Sequence, residues 1–508
     1  MRKDNYVDAD QIINNCRGEV PSPYEVSPNI KVSPVHRKSG TEKNKGGETP
    51  PLQKDLPEGW DWKTMGEISD VVGGGTPRTN VPEYYDNGAI PWITPADLSG
   101  YKNKYISRGS RSITETGLRN SSARLMPAGT VLFTSRAPIG YVAIAKNPIS
   151  TNQGFKSFVL IDGILPDYIY WYLKGNKNLA ESLASGTTFL ELSGAKAKQI
   201  PVPVAPLDKQ KLIVAEIEKE FSRLDEAVAA LKRIQANLKR YKAAVLKAAV
   251  EGKLTEQWRK EHPDVEPAGE LLKRILAERH KKWEEDYVKK YLGAHGHAPK
   301  YDLWKKKYKE QARPDTTNLP KLLKGWVWTT IGQIAECLDS MRVPVNKKAR
   351  AVRQGSIPYY GANGQVGWID GYLFDEALVL VVEDETFTGR ELPFSYKISG
   401  KSWVNNHAHV LRNSKAVNVD FLNYSLVHYP FTPLTTGTTG RKKLTQAALL
   451  SALYKLPPLS EQIEIVNRIE SCFSVAVEIE AAIETNLKRA ERMRQAILKK
   501  AFSGKLIQ

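Results

Sequence analysis

Between Asp208 and Val250 the apolar residues fall at Ile213, Ile217, Phe221, Leu224, Val228, Leu231, Ile234, Leu238, Tyr241 and Val245, every step three or four. That spacing predicts one long helix with a coiled-coil seam. A second seam runs from Ser460 through Ile465, Ile469, Phe473, Ala476, Ile479, Ile483, Leu487, Ala490, Met493 and Ile497. Asp208 and Ser460 suit the first helical cap, and Gly252 and Gly504 stand where a left-handed C-terminal cap falls. At ~1.5 Å per residue, about 42 residues give rods of roughly 63 Å. Two such seams in one chain pack most economically against each other. The alternative, each rod lying on its own globule, requires a small domain to absorb a very long stripe.

Outside the rods the period shortens. TVLFTS at 130–135, FKSFVLI at 155–161 and EALVLVVED at 376–384 read as strands, and PDYIYWYLKG at 166–175 and FLNYSLVHY at 421–429 as short helices. Each globule has a Gly-Thr-Thr element near its end, SGTTFLELSG at 185–194 and TGTTGRKKLT at 436–445. IPVPVAPL and LYKLPPL follow, where proline stops regular structure and leads into a rod. The chain repeats itself without gaps: 56–68 (LPEGWDWKTMGEI) matches 322–334 (LLKGWVWTTIGQI), and 207–254 matches 459–506. Two long copies are not a solenoid. They predict a pseudo-twofold α+β architecture: two mixed α/β globules, 56–206 and 320–458, with two long coiled-coil helices, 207–254 and 459–508. A charged, partly helical linker at 255–319 includes a helix at 268–291 and is long enough to return the chain along a rod. Residues 1–55, rich in Pro, Ser, Gly and Lys without a period, predict a disordered extension.

The net charge is +18 with a pI near 9.4. This favours a polyanionic partner, nucleic acid first, over a basic surface that merely aids solubility. Residues 1–55 carry 9 Lys/Arg against 8 Asp/Glu, so the excess belongs to the folded part, and 231–310 alone hold 21 against 12. No apolar run approaches the ~20 residues of a membrane span, and the first residues lack a signal-peptide core, which predicts a cytoplasmic protein. Cys16, Cys337 and Cys472 form neither a disulfide framework nor a metal pattern.

Catalytic motifs are missing from the sequence. It has no GxxxxGK[ST] loop, no glycine-rich dinucleotide turn and no Asp/Asn-Pro-Pro-aromatic motif of an adenine methyltransferase; Ile357-Pro358-Tyr359-Tyr360 is a partial look-alike. PDVEPAGELLK at 263–273 is a poor nuclease set because no strand carries it. His280, His295 and His297 read as a solvated linker rather than a metal site. What remains is a binding surface. In the first globule the candidates are Arg78, Thr79, Asn80, Tyr101, Lys102, Asn103, Lys104, Arg108, Ser135, Arg136, Asn152 and Gln153. The second offers Lys347, Lys348, Arg350, Arg353, Tyr359, Tyr360, Asn363, Thr386, Thr388, Arg390, Asn405, Asn406 and His407. Arg suits guanine and Asn or Gln suits adenine, while Lys, Ser and Thr mostly hold phosphates. Singly each reads as a solvated side chain; together, on two basic globules, they point to nucleic acid.

GW.W at both domain starts, GGGTPRTNVPEYYDNGAIPWITPADL at 73–98, TNQGFKSF at 151–158 and IPYYGANGQVGWIDGYLFDEALVLVVED at 357–384 resemble the specificity (S) subunits of type I restriction–modification enzymes. The PPLSEQ-type opening of the rods and AVLKAAVEGKLTEQWR at the end of the first carry the same resemblance. It covers essentially everything after residue 55, and the N-terminal extension departs from it. The resemblance implies two target-recognition domains, each binding half of a bipartite double-stranded DNA sequence. It also implies that the two coiled-coil rods form an antiparallel pair, which separates the domains and docks two modification subunits. Those subunits would carry S-adenosylmethionine-dependent adenine methylation, and motor/nuclease subunits, with ATP and Mg, would complete the restriction complex. The chain itself would be non-catalytic. A DNA-modifying enzyme with its own active site, or a coiled-coil scaffold with an incidental basic surface, are the rivals.

Overall fold

The computed structural model describes residues 56–136, 138–186, 190–385, 387, 389–437 and 442–507. The expected disorder of 1–55 lies outside them. The described residues divide into two compact units, 56–234 with 482–507, and 235–481.

In the first unit the GW.W segment forms the strand Asp61–Thr64, which pairs antiparallel with Pro201–Val204. Thr64 and Glu67 then cap a one-turn helix, Met65–Ile68, reciprocally, the Thr64 N–H reaching Glu67 Oε2 at 2.6 Å. A five-stranded sheet follows in the order 69–73, 156–160, 131–133, 142–145, 105–106. A smaller sheet places Ile90–Ile93 between Arg111–Ile113 (antiparallel) and Ser150–Thr151 (parallel). The helix Pro166–Gly175 buries Tyr168, Ile169 and Tyr172 in one core with Ile213 and Ile217. Leu498, Ala501 and Phe502 complete that core.

The second unit repeats the plan. Val327–Thr330 pairs with Leu453–Leu456, Thr330 and Gln333 form the matching capping box, and the larger sheet runs 335–337, 408–413, 378–382, 395–398. Ile357–Gly361 pairs parallel with Lys401–Val404, as Ile90–Ile93 does with Ser150–Thr151. The helix Val419–Leu426 packs with Ile465 and Ile469, and Leu246 and Ala249 enter the same core. The linker helix, Ala268–His295, is held by Arg279, which donates to the carbonyls of Gly332 and Gln333 at 2.9 and 3.2 Å. Trp304 stacks on Tyr287, and Tyr308 on His280, so the returning segment closes over this helix's aromatic stripe.

Each long helix is continuous, Leu207–Val250 and Leu459–Ala501. Both are clipped to their own globule by a buried glutamine. Gln210 accepts from Leu165 N–H at 2.8 Å and donates to the Ala205 and Gly163 carbonyls. Gln462 accepts from Asn418 N–H at 2.8 Å and donates to the Pro457 and Ala416 carbonyls. The helices run antiparallel within each unit: Asp225 meets Arg494 in the first, Lys242 meets Glu480 at 2.8 Å in the second. Gly252 and Gly504, both at φ 69°, end them left-handed, with Lys253 N–H on Ala248 O and Lys505 N–H on Lys500 O, each at 2.9 Å. The two packing alternatives therefore combine. Helix ends lie on the globules, while Ile234, Ile479 and Met493 of the predicted seam are exposed. A single partner helix covers only a narrow stripe, whereas a globule covers a whole face.

Candidate nucleic-acid interface

Three segments converge at the same place in each unit, and backbone hydrogen bonds set the correspondence. Asn152 N–H donates to Ile93 O at 2.9 Å; Asn405 N–H donates to Tyr360 O at 3.1 Å. Ser135 N–H reaches Gly154 O at 2.7 Å, as Glu383 N–H reaches His407 O at 3.1 Å. Leu192 N–H donates to Ser135 O and Leu444 N–H to Glu383 O, at 2.9 and 2.8 Å. Finally, Ser185 and Glu191 exchange backbone bonds as Thr436 and Lys443 do. Thus 135–136 corresponds to 383–384, 152–154 to 405–407, and 191 to 443. These are the ends of sheet strands and the Gly-Thr-Thr elements, loops presented by a rigid scaffold.

This geometry sorts the sequence candidates. Asn152 and Asn405 build their own turns: Asn152 Oδ1 accepts Gly154 N–H at 2.9 Å, and Asn405 Oδ1 accepts His407 N–H at 2.8 Å. Their role is the loop shape, and the exposed Gln153, Asn406 and His407 beside them face outward. Ser135 is 0% exposed and reads nothing directly. Arg136 stays half-exposed and pairs with Glu191, Nε to Oε1 3.0 Å. Thr76 bonds Gln153, which brings the exposed Arg78, Thr79 and Asn80 beside the same turn. In the second unit Arg390 Nη2 donates to Asn363 Oδ1 at 2.6 Å, joining two exposed loops. Thr386 and Thr388 lie outside the described residues.

Several other candidates are engaged in packing. Lys104 pairs with Asp167 on the 166–175 helix and with Glu218 on the long helix, and Tyr101 OH donates to Tyr105 O. Its neighbours Lys102, Asn103 and Arg108 remain exposed, and Lys104 ties this stretch to both helices. Tyr359 is 1% exposed, its OH bonded to Val345 N–H and O. Tyr360 is part-buried against Tyr396. Arg350 lies over Tyr359 at 4.5 Å, and Arg353 lies over Trp403 and grips Asp370 at 2.7 Å. Lys347 and Lys348 are exposed on the same short helix, Lys347–Val352. A long cationic side chain beside an aromatic face packs as readily as it binds, and sequence cannot separate the two.

Sequence reasoning missed the group behind the second loop platform. His409 Nδ1 meets Asp339 Oδ2 at 2.5 Å and its Nε2 meets Leu444 O at 2.8 Å. Arg342 bridges Asp339 and Glu383 at 3.2 and 2.5 Å, and Lys443 reaches Glu383 at 3.1 Å. Cys337 stands close enough to Asp339 and His409 to suggest a metal. Both histidine nitrogens are nevertheless already engaged, and burial, with the Asp339 charge, pushes the thiol up to about 12. Burial would raise the Asp339 carboxyl, but His409, the Val410 amide and Arg342 hold it below the usual carboxylate range. Glu383 is likewise held low, against burial, by Arg342, His409 and Lys443. Depressed folded values contribute stability above the unfolded values of about 4, lost as pH falls through the folded ones. Acid unfolding followed by tryptophan fluorescence should therefore show the second unit losing stability below about pH 4. Asp339→Asn should be less stable at neutral pH and less acid-sensitive; an unchanged acid limb would remove this network as its cause.

No helix among the described residues is long and apolar enough to cross a membrane. The family described as "Type I restriction modification DNA specificity domain" matches residues 57–240 and 323–489, one match per repeat. The type I restriction enzyme MjaIX specificity subunit of Methanocaldococcus jannaschii is 48% identical over 161 residues, 31% of this chain and 37% of that protein. The chain thus spans little more than a third of that relative. The EcoKI specificity subunit of Escherichia coli is 23% identical over 463 residues, 89% of this chain and 90% of that protein. A solved chain described under "Structural basis underlying complex assembly and conformational transition of the type I R-M system" shares the fold. Its TM-score is 0.57 at 17% identity, over 89% of this chain and 99% of that one. With both repeats matched across most of their length, the chain belongs to the type I restriction–modification DNA specificity family.

Proposed function

We propose that this chain is the non-catalytic, sequence-reading subunit of a cytoplasmic type I restriction–modification complex. Each globule, 56–206 and 320–458, reads one half of a bipartite DNA target. The helices 207–254 and 459–508, with the 255–319 linker joining the repeats, hold two modification subunits. Motor/nuclease subunits join that assembly, and S-adenosylmethionine, ATP and Mg belong to the partners. The observation that carries this reading is one loop platform built twice on the same hydrogen bonds and furnished with different side chains. A scaffold with an incidental basic surface has no need of a second, differently furnished copy.

Exchanging one globule for that of a relative with a different target should exchange one half-sequence and leave the other intact, as methylome sequencing would read. A hybrid that kept its original target would defeat the divided reader. Within a globule, Gln153→Ala should relax one half-site and Asn406→Ala the other, by about 1–3 kcal/mol for a lost bidentate base contact. Uniform weakening across all sequences would make them phosphate contacts. The purified chain without partners should neither methylate nor cleave DNA. Methyl transfer by it would favour the rival enzyme.

A further inference from the structure

The corresponding positions on the two platforms carry opposite charges. In the first unit position 136 is arginine and its cross-strand neighbour 191 is glutamate; in the second, the same places hold Asp384 and Lys443. Both side chains at the leading position remain accessible, 48% for Arg136 and 34% for Asp384. An exposed ion pair adds little to stability, so stability alone gives no reason for either arrangement. The partners also differ. Arg136 is oriented by Glu191 at 3.0 Å, whereas Lys443 turns to Glu383 and Asp384 Oδ1 accepts from His407 Nδ1 at 2.7 Å. His407 stands where the first unit has Gly154, so the second platform carries a side chain the first lacks.

We infer that the 136/384 position is a specificity determinant of reversed polarity, a donor in one globule and an acceptor in the other. The inference rests on the DNA reading proposed above. A guanidinium offers donors to guanine O6 and N7 but also suits any phosphate. A carboxylate is more telling. Facing DNA it is repelled by every phosphate, and the base-edge group that suits it is a donor, the exocyclic amino group of cytosine or adenine. Asp384 is therefore the acceptor reader of the second globule, with His407 fixing its orientation. Arg136 is the donor reader of the first, with Glu191 as its positioning residue. Each partner restricts its reader to one direction, which a base contact needs and a phosphate contact does not.

The test uses the full chain assembled with its modification subunits, selected against DNA with both half-sites randomised. Arg136→Asp with Glu191→Lys keeps an opposite-charge pair while reversing the reader. It should change the preferred base at a position of one half-site at least tenfold and leave the other half-site untouched. Asp384→Asn, nearly isosteric and still able to accept from His407, should relax the other half-site only. Unchanged preferences in both variants, or equal weakening for every sequence, would overturn the assignment. If the double variant fails to unfold cooperatively, Arg136→Gln is read by the same criteria. A wild-type complex that selected no sequence would instead defeat the broader DNA reading, a result distinguishable from unchanged variants on a selective parent.

Discussion

Glu461→Ala should destabilise the second unit by about 3–5 kcal/mol, the range for removing one partner of a buried ion pair. Glu461 is 0% exposed, in the first turn of the second long helix. Its Oε1 accepts from Thr255 Oγ1 at 2.7 Å and from Arg259, and its Oε2 accepts from Trp326 Nε1 at 2.8 Å. One carboxylate thereby joins three segments: the turn that leaves the first rod, the short helix Glu256–Glu261 and the opening of the second globule. Alanine would leave the part-buried Arg259 guanidinium and the buried Trp326 N–H without their acceptor. A negative charge near the helix N-terminus would be lost as well. The chain carries its own control. The corresponding residue of the first rod is Lys209, exposed, and Lys209→Ala should stay within about 0.5 kcal/mol. Denaturant unfolding of both variants measures the contrast, and equal costs would mean that Glu461 is replaceable by water.

The second large effect lies in the first unit although the residue comes near the far end of the chain. Phe502, 8% exposed, packs edge-on against Tyr168 and Tyr172 at 5.0 and 5.1 Å. Both tyrosines are locked by their hydroxyls, which donate to the carbonyls of Pro203 and Pro201. The rings therefore have little freedom to collapse into a vacated space. Phe502→Ala should cost about 3–5 kcal/mol, the usual range for a buried aromatic truncation. The repeat places Val250 at the equivalent position, and Phe502→Val should cost less because it leaves a smaller cavity. Limited proteolysis distinguishes the units: new cleavage should arise among residues 56–234. Cleavage confined to 235–481 would assign Phe502 to the wrong core.

The long helices were readable because apolar residues at every third or fourth position, sustained over so long a stretch, suit a helix and no strand or loop. The glycine caps were readable for a similar reason, since the left-handed φ at Gly252 and Gly504 suits few other residues. The candidate interface was legible only in outline. Gln153, Asn406 and His407 are exposed, as the sequence candidates require, but Asn152 and Asn405 are spent on their own turns, and Ser135 and Tyr359 are buried. Lys104 is drawn to Asp167 and Glu218, acids 63 and 114 residues further along, and no local pattern encodes such a partner. The same limit hid Asp339 and His409, 70 residues apart. The correspondence of Arg136 with Asp384 was equally invisible. The intervening loops have diverged in length, and only the backbone ladder keeps the register.

The tail contacts also bear on the order in which the protein can be made. Among the described residues the unit at 235–481 is continuous in sequence, whereas the unit at 56–234 includes 482–507 in its core. During synthesis domains ordinarily fold from the N-terminus onward. Here the first globule to leave the ribosome still lacks Leu498, Ala501 and Phe502, which emerge only after the whole second unit. Closing that contact brings together residues as far apart as Tyr168 and Phe502, whereas the other core draws on residues no farther apart than Tyr241 and Phe473. The half translated last is thus finished first, and the half translated first waits with an apolar face uncovered.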